Sequence, residues 1–270
     1  MQIADKVFVV TGGGNGIGRE VVLELLRRGG RVAAVDLSPE RLAETVTLAR
    51  APEGRLSTHA LSVADRAAVE ALPEAVLAAH GQVDGVLNIA GIIQRFVHVE
   101  ELSIEEIEKV MAVNFWGTLY LDTTFLPLLK ARPQAALLNV SSMGALVPVP
   151  GQGAYGASKG AVKLLTETLY AELRGTDVAV TLVFPGAIGT NITGNSGVEV
   201  PNMDKVIASG QVPKTTAPVD AARQIVDAVS EGTFRLLIGS DAKSLDAMVR
   251  ARPTWAITKV ADQMKKMLGI

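Results

Sequence analysis

The sequence predicts an α/β protein with a doubly wound parallel sheet of seven strands and helices on both faces. Short runs that are almost wholly apolar alternate with longer segments in which apolar residues recur at helical spacing. Strands that are apolar throughout are typical of a parallel sheet covered on both sides by helices. With 270 residues, 48% of them apolar and 20% charged, the chain can bury the core of one large domain.

Each predicted strand is a short apolar run bounded by turn-forming residues. The seven runs cover residues 7–10, 31–35, 56–60, 83–89, 135–140, 178–184 and 234–238. Between them, helical spacing predicts a helix around residues 21–26, then helices over 39–49, 65–80, 153–173 and 219–230, and a long helix after Ser103. That long helix begins with a capping-box signature, Ser103 and Glu106, and its core-facing positions are predicted to be Ile104, Ile107, Val110 and Met111.

No linker composition, charge run or internal repeat divides the chain. We therefore expect residues 1–240 to form a single catalytic domain and residues 241–270 a helical extension that packs on this domain or on a neighbouring subunit. From residue 240 the extension carries six basic and three acidic residues, and its apolar positions recur three or four apart at Ile257, Val260, Met264 and Met267. A basic amphipathic helix on a membrane surface and a frayed tail remain less favoured alternatives.

Composition excludes several classes of function. The formal net charge is -2, which gives no basic surface for nucleic acid. The chain has no cysteine, and its three histidines show no metal-ligand spacing, so we expect no metal site and interpret the histidines as surface or loop residues. The first residues lack a secretory signal pattern and no apolar run reaches the ~18 residues of a membrane span, so we expect a cytoplasmic protein with little tendency to bind membranes.

A glycine cluster between the first strand and the first helix is the first candidate site. Residues 11–18 read TGxxxGxG, with Gly12, Gly16 and Gly18 allowing a tight turn beside a helix N-terminus that favours phosphate. This is where a parallel α/β sheet binds a dinucleotide, although a simple chain reversal remains the alternative. Asp36 follows 18 residues after Gly18, close to the offset at which a carboxylate binds the adenosine ribose.

Asp36 also favours NAD over NADP, because its charge repels a 2'-phosphate and the neighbouring Leu37 offers no cation. An aspartate that merely begins the turn before Ser38 is the other interpretation.

Tyr155 and Lys159 are four residues apart and share one face of a predicted helix. A nearby ammonium favours the phenolate, so the pair predicts a tyrosine whose pKa is shifted down and which can transfer protons. Ser142 ends the fifth strand, at the edge where open α/β sheets bind ligands. On its own a Tyr-x-x-x-Lys pair is usually a solvated helix face.

Together these residues resemble the motifs of the short-chain dehydrogenase/reductase superfamily, over about residues 5–240. Residues 11–18 are similar to its cofactor glycine turn and residues 88–91 to its NNAG element. Ser142 stands thirteen residues before Tyr155 as in the family pattern, and Asn114 falls where the family carries its catalytic asparagine. The resemblance implies a Rossmann fold and an NAD(H)-dependent oxidoreductase that interconverts a secondary alcohol and a ketone.

The resemblance also implies a role for each catalytic residue. Tyr155 would be the acid and base, Lys159 would lower its pKa and hold the nicotinamide ribose, and Ser142 would fix the carbonyl. Asn114 would hold a water that links Lys159 to solvent. The implied cofactor contacts are Gly12, Asn15, Gly16, Ile17, Gly18, Asp36, Leu37, Ser62, Val63, Asn88, Ala90, Gly91, Tyr155, Lys159, Pro185, Gly186, Ile188 and Thr190.

Two positions depart from the family pattern. Ser62 stands where the family commonly has an aspartate against the adenine, which weakens one expected contact, and Ile89 replaces the second asparagine of NNAG.

The substrate is expected over the nicotinamide, against Gln94, Phe96, Met143, Gln152 and Ile192. This lining predicts a neutral, mostly apolar ketone or alcohol, although Arg95 or Lys205 could turn inward. An NADPH-dependent 3-ketoacyl reductase acting on carrier-protein or CoA esters is the alternative function, and a non-catalytic nucleotide-sensing protein a remote one. By resemblance we expect a homo-oligomer, a tetramer or a dimer.

Overall fold

A computed structural model describes residues 1–199 and 215–268, except for the side chains of residues 266–268. Within this described part, seven strands form one parallel sheet: β1 Val7–Thr11, β2 Arg31–Asp36, β3 Leu56–Ala60, β4 Gly85–Asn88, β5 Ala135–Val140, β6 Val178–Pro185 and β7 Arg235–Ile238. Their order across the sheet is β3-β2-β1-β4-β5-β6-β7, so the winding reverses between β1 and β4. The predicted doubly wound parallel sheet is confirmed.

The helices of the described residues are α1 Gly16–Arg27, α2 Pro39–Ala49, α3 Arg66–His80, α4 Ile104–Met111, α5 Gly117–Lys130, α6 Gly153–Glu172, α7 Ile192–Ser196, α8 Pro218–Glu231, α9 Ser240–Ala251 and α10 Pro253–Leu268. The helices predicted from periodicity are present within a few residues, whereas the short α7 was not predicted. Five of the helices begin at a side chain that accepts a backbone N–H, which satisfies donors that have no partner inside the helix. These capping residues are Asn15, Ser38, Asp65, Ser103 and Asn191.

The core consists of two apolar layers, one on each face of the sheet. β1 shows how the strands divide between them, since Phe8 and Val10 pack in one layer and Val7 and Val9 in the other. All five β1 residues are buried. A strand buried on both faces explains why the predicted strands carry continuous apolar runs rather than alternating ones.

The predicted long helix is confirmed at its start and corrected in its course. The capping box is present, with the Ser103 hydroxyl accepting from the Glu106 N–H at 3.2 Å and the Glu106 carboxylate accepting from the Ser103 N–H at 3.1 Å. A π-helical turn, Ala112–Trp116, separates α4 from α5. Of the four positions predicted to face the core, Val110 is buried, Ile107 and Met111 are half-buried and Ile104 is 63% exposed. α4 packs on α6 and on the π-helical turn.

The interpretation of the histidines as surface or loop residues is wrong for His80, which ends α3 and is only 5% exposed. His59 lies half-buried on the edge strand β3, and the Nε2 atoms of His59 and His80 are within hydrogen-bonding distance of the Ser57 hydroxyl, at 2.8 and 2.9 Å. This shared hydroxyl gives the buried imidazole of His80 a polar partner, while His98 lies exposed in a loop as predicted.

The C-terminal helices pack on the end of the sheet. Asp246 of α9, itself buried, accepts two hydrogen bonds from the Arg235 guanidinium of β7, at 2.7 and 3.0 Å. In α10 the inward face is formed by Ala256 and Val260, whereas Ile257, predicted to lie on that face, is 44% exposed. The residues of α10 that face inward therefore follow an i, i+4 spacing that begins at Ala256. The side chain of Met267, also predicted to lie on this face, is outside the described residues. None of the helices described has both the length and the apolar content needed to cross a membrane.

Candidate active site

A cavity of about 440 Å³ opens at the carboxyl edge of the sheet, around the point where β1 and β4 diverge. Its lining extends from Asp36 at the end of β2 to Ser142 after β5. These two strands are three strand spacings apart, roughly 14 Å, so the cavity is a long cleft rather than a compact hole. Clefts of this size and position hold dinucleotides or small substrates.

Most of the predicted site residues line this cleft. From the predicted cofactor set these are Gly12, Asn15, Ile17, Gly18, Asp36, Leu37, Ser62, Val63, Ala90, Gly91, Tyr155, Lys159, Pro185, Gly186, Ile188 and Thr190, and from the catalytic and substrate sets Ser142, Phe96, Met143, Gln152 and Ile192. Four predicted residues lie behind the lining instead: Gly16, Asn88, Gln94 and Asn114.

The glycine turn brings bare backbone to the cleft. Gly12 has φ +70°, and a Cβ there would lie 3.2 Å from the Ala90 Cα. A Cβ on Gly18 would overlap the Gly12 carbonyl oxygen, so α1 can begin this close to β1 only with glycine at that position. The glycines thus bring the backbone at the N-terminus of α1 to the cleft, where the Asn15 side chain caps the Gly16 N–H at 2.6 Å. A helix N-terminus in this position suits a pyrophosphate.

Asp36 is held in place by the backbone. Its two carboxylate oxygens accept hydrogen bonds from the Gly14 N–H at 3.0 Å and the Ser38 N–H at 3.1 Å. Leu37 is 74% exposed beside it. Arg41, in the first turn of α2, lines the same part of the cleft and was overlooked in the sequence, where its position five residues after Asp36 was the available signal.

The end of β4 is fixed from below by a buried polar network. The Asn88 side chain donates to Asp122 at 2.8 Å and to Asn139 at 2.9 Å, and Asn139 donates to the other oxygen of Asp122 at 2.8 Å. Burial raises the pKa of Asp122 to about 7. Asn88 was predicted to contact the cofactor; it is instead 3% exposed and joins β4 to β5 and α5, because its side chain points into the sheet rather than out of its end.

Ser62 serves its own turn, since its hydroxyl accepts from the Ala64 N–H at 3.2 Å. Val63 packs closely on Gly117 of α5, since a Cβ at position 117 would lie only 2.8 Å from the Val63 Cγ2. Both residues line the cleft on the Asp36 side of the glycine turn.

The loop after β6 is held by the C-terminal part of the chain. The Ala187 N–H donates to the Asp241 carboxylate at 2.6 Å, and the Gly189 N–H donates to the Thr216 carbonyl at 3.0 Å. The Asp241 carboxylate fills the space that a Cβ on Gly186 would need. Asp241 is therefore a support for the predicted cofactor residues of this loop, and sequence spacing alone gave no sign of it.

Tyr155 and Lys159 of α6 point into the cleft opposite Ser142. The Lys159 ammonium donates to the Val140 carbonyl at 3.0 Å, and the Ser141 hydroxyl donates to the Lys159 carbonyl at 2.8 Å. These two bonds fix α6 against the end of β5. The Ser141 hydroxyl therefore has a structural role in joining β5 to α6. The neighbouring hydroxyl, that of Ser142, accepts a hydrogen bond from the Gly144 N–H at 3.1 Å.

Burial dominates the titration of both groups. It raises the pKa of the Tyr155 phenol above its ordinary value, an effect that the Ser142 hydroxyl opposes. It also lowers the pKa of Lys159 to about 8. The predicted downward shift of the Tyr155 pKa by Lys159 is wrong for this arrangement, since the ammonium is directed to the Val140 carbonyl and desolvation of the phenol outweighs any lowering.

Asn114 lies in the π-helical turn and is fully buried. Its Nδ2 donates to the Ile92 carbonyl at 2.9 Å and to the Ser158 hydroxyl at 3.0 Å, while its Oδ1 accepts from the Ile92 N–H at 2.9 Å. A Cβ on Gly91 would lie 3.1 Å from the Lys159 Nζ and 3.3 Å from the Asn114 Oδ1. Glycine at position 91 therefore lets these two side chains approach the same point of the backbone. π-Helical turns of this kind are frequent at functional sites.

Gln94 supports Tyr155 rather than the substrate. It is 3% exposed, donates to the Gly151 carbonyl at 3.1 Å and accepts from the Tyr155 N–H at 2.9 Å. The chain folds it beneath the start of α6, so the prediction that it contacts substrate is corrected. Arg95, which could have turned inward, pairs with Glu106 at the surface at 2.6 Å. Lys205 lies outside the described residues.

The site can therefore stabilise an oxygen that gains negative charge. A phenol and a hydroxyl converge on one end of the cleft beside a buried ammonium, and groups of this kind held in advance at a developing charge lower a reaction barrier. The other end offers a backbone cradle and a carboxylate suited to a nucleotide.

Comparison with known proteins agrees with this geometry. The profile of a protein family described as short chain dehydrogenase matches residues 6–200. The oxidoreductase SadH of Mycobacterium tuberculosis (strain CDC 1551 / Oshkosh) is 36% identical over 258 residues, which cover 91% of this chain and 90% of SadH.

Solved structures of similar proteins include complexes with either nicotinamide dinucleotide. A short chain dehydrogenase/reductase from Burkholderia phymatum in complex with NAD superposes with a TM-score of 0.83 at 29% identity, covering 94% of this chain and 95% of that one. A short chain dehydrogenase from Burkholderia cenocepacia J2315 in complex with NADP superposes with a TM-score of 0.80 at 27% identity, covering 96% and 99%.

Proposed function

The chain belongs to the short-chain dehydrogenase family of oxidoreductases, which act on alcohol and ketone groups with a nicotinamide cofactor, and from that premise we propose an NAD(H)-dependent ketone reductase and secondary-alcohol dehydrogenase. The observation that carries the proposal is the single cleft that has Ser142, Tyr155 and Lys159 in its lining along with Asp36. One part suits carbonyl chemistry and the other suits an unphosphorylated adenosine ribose.

The preference for NAD rests on Asp36. Its carboxylate is fixed by two backbone N–H groups and would lie against a 2'-phosphate. Arg41 brings a cation to the same part of the cleft, and a cation there would favour the 2'-phosphate of NADP. The flexible stem of Arg41, however, lets its guanidinium turn to solvent, whereas the carboxylate of Asp36 is fixed.

Tyr155 is proposed as the proton donor in ketone reduction. When bound, the nicotinamide supplies a hydride. The carbonyl oxygen would gain negative charge between the phenol of Tyr155 and the hydroxyl of Ser142, and the phenol would give its proton to that oxygen. A phenol whose pKa is raised by burial is protonated at neutral pH and ready to donate. For alcohol oxidation the phenolate is needed, so we expect that direction to speed up as the pH rises.

Lys159 and Asn114 are proposed to support this proton transfer. The Lys159 ammonium, which donates to the Val140 carbonyl, would also hold the nicotinamide ribose. Asn114, fixed by three hydrogen bonds and adjacent to Lys159 across Gly91, would hold the water through which the proton is replaced from solvent.

The substrate is proposed to be neutral and mostly apolar. Beyond the reacting groups and the predicted cofactor residues, the described part of the lining includes the apolar side chains of Ile93, Phe96, Met143 and Ile192. Polar side chains there include Gln152, Thr193 and Asn195. A 3-ketoacyl reductase that uses NADPH is the second candidate, which Arg41 favours.

Initial rates with a panel of simple ketones and of 3-ketoacyl thioesters, each with NADH and with NADPH, test the proposal. We expect reduction of simple ketones with NADH as the preferred cofactor. A clear NADPH preference with activity confined to the thioesters would favour the second candidate. Tight NADH binding without turnover of any carbonyl would favour a nucleotide-sensing protein and contradict the proposal.

The protein is also proposed to form a dimer or tetramer. Several large apolar side chains are exposed, among them Trp116, Leu164 and Tyr170 at 45%, 64% and 43%. Apolar side chains exposed together on neighbouring helices commonly mark contacts between subunits. A solution mass equal to one chain in light scattering would contradict this. The cytoplasmic location and the division at residue 240 stay predictions.

A further inference from the structure

The C-terminal helix α10 packs behind residues that line the substrate end of the cleft, without contributing any of its own described residues to the lining. Ile93 and Phe96 form a small buried apolar cluster there, and four partly buried side chains pack against it: Tyr155, Ile192, Val198 and Met264. Met264 is the member contributed by α10. The catalytic tyrosine proposed above and a residue of the last helix thus belong to one apolar cluster.

One face of α10 leads into this cluster. Ala256 is fully buried, Val260 is 9% exposed and Met264 is partly buried, and the three lie at i, i+4 and i+8 along the helix. Such residues share one helix face. The residues on either side of Ala256 are exposed, Trp255 at 49% and Ile257 at 44%. Ile257 lies two turns before Met264, on nearly the same side of the helix but outside the apolar cluster.

The position of α10 is fixed through α9, on which it packs. Asp246 of α9 pairs with Arg235 of β7 at 2.7 Å, and Asp241 accepts from the Ala187 N–H at 2.6 Å. These contacts connect α9 both to the sheet and to the loop after β6 that lines the cleft. Met264 is thereby carried on a supported helix.

The chemistry of the cluster selects an apolar group. Apart from the phenol of Tyr155, its side chains carry no hydrogen-bonding group or charge, and methionine adapts its shape to what it packs against. The family profile ends at residue 200, so Met264 lies outside the part of the chain that the family profile covers. Among the described residues, Met264 is therefore the one member of the cluster that comes from outside the segment carrying the reacting groups.

We propose that Met264 forms the outer wall of a subsite for the larger apolar substituent of the ketone, and that it limits the length of that substituent. The inference rests on the ketone reductase proposed above. Truncating Met264 lengthens the subsite, and a bulkier side chain shortens it. One methylene in an apolar pocket is worth about 10- to 200-fold in specificity.

The first test measures kcat/KM with NADH for a series of methyl ketones with alkyl chains of increasing length. We expect Met264→Ala to raise the ratio of long-chain to short-chain kcat/KM by about tenfold, and Met264→Phe to lower it by a similar factor. Ile257→Ala, at an exposed position two turns earlier on the same helix and outside the apolar cluster, is the matched control and should keep the wild-type ratio. Wild-type ratios in both Met264 variants would overturn the inference while leaving the ketone reductase intact.

The second test does not depend on turnover. Because the chain has no cysteine, Met264→Cys and Ile257→Cys each introduce the sole thiol. Their labelling rates are compared for an octyl and a sulfonatoethyl methanethiosulfonate, one apolar and one anionic. We expect Cys at 264 to favour the octyl reagent over the anionic one by about tenfold more than Cys at 257 does, since the anion is poorly accepted in an apolar pocket.

The two tests separate the possible failures. If the wild-type enzyme reduces no ketone, the proposed function fails, and the labelling ratio alone decides whether position 264 faces an apolar pocket. An equal labelling ratio at positions 264 and 257 would overturn the inference whatever the activity.

Discussion

Lys159→Met should stabilise the protein at neutral pH while removing activity. Burial lowers the pKa of Lys159 to about 8 from its usual 10.5, which means that the charged form is disfavoured in the fold by about 3 kcal/mol. Against this, the ammonium donates to the Val140 carbonyl at 3.0 Å, and leaving a buried carbonyl without its donor costs about 1–3 kcal/mol. We expect a net gain of about 1 kcal/mol at pH 7.

The difference in the free energy of unfolding between the wild type and Lys159→Met should depend on pH. Because the folded-state pKa of Lys159 lies below the unfolded-state value, the unfolded chain binds more protons between pH 8 and 10.5. The free energy of unfolding of the wild type therefore rises across this window relative to that of Lys159→Met. The variant should be the more stable protein at pH 7 and the less stable one at pH 10.5, with the difference changing by about 3 kcal/mol.

Urea unfolding of both proteins from pH 7 to 10.5 measures this difference directly. Lys163→Met is the control on the same helix, since Lys163 pairs with Glu167 near the surface at 2.8 Å. We expect its free energy of unfolding to stay within about 0.5 kcal/mol of the wild type throughout. A constant difference between Lys159→Met and the wild type over this pH range would refute the reasoning, because the ammonium would then be as well solvated in the fold as in the unfolded chain.

Four further substitutions test other parts of the site and of the fold. Asp36→Asn should raise kcat/KM for NADPH relative to NADH by about tenfold or more, and the further change Arg41→Ala should reverse much of that gain, as steady-state kinetics with both cofactors would show. Gln94→Leu leaves the buried Tyr155 N–H and a carbonyl without partners, so calorimetry should show a loss of about 2–4 kcal/mol and kcat should fall; unchanged stability would mean that the two groups find other partners. Ser103→Ala removes the cap of α4 and should cost about 1 kcal/mol in urea unfolding with kcat unchanged, whereas a fall in kcat would connect α4 to the chemistry.

The strands and the cleft could be predicted because they depend on local patterns. In a mostly apolar run such as 135–140 every residue is buried, as is typical of a strand inside a parallel sheet that helices cover on both faces. The glycine turn and the Tyr155 pair are likewise compact in sequence. Spacing alone did not show that these two motifs belong to one site, whereas the family resemblance implied it.

The errors arose where a side chain's direction depends on distant parts of the chain. Gln94 follows a strand that leads into the cleft, yet its side-chain amide hydrogen-bonds to the Gly151 carbonyl and the Tyr155 N–H, 57 and 61 residues away in the chain. In the same way, the Asn88 side chain donates to the distant carboxylate of Asp122. The pKa of Tyr155 could not be read from a neighbouring lysine, since burial is a property of the whole fold.

The same limit applies to the C-terminal helix. Periodicity placed Val260 and Met264 on one face of α10, but it could not choose between Ile257 and Ala256 as the third member, because both spacings occur on a helix. The tertiary contacts of α9 and α10 made that choice.

Transfer of deuterium from NADH labelled on the transferring face of C4 is a direct measure of hydride transfer by this protein. We expect the wild-type enzyme to place one deuterium on the carbinol carbon of the alcohol product. Tyr155→Phe should slow this transfer by about 10²-fold or more while NADH binding, followed by fluorescence, is retained. A product without deuterium, or equal rates of transfer in the two proteins, would contradict the proposed function.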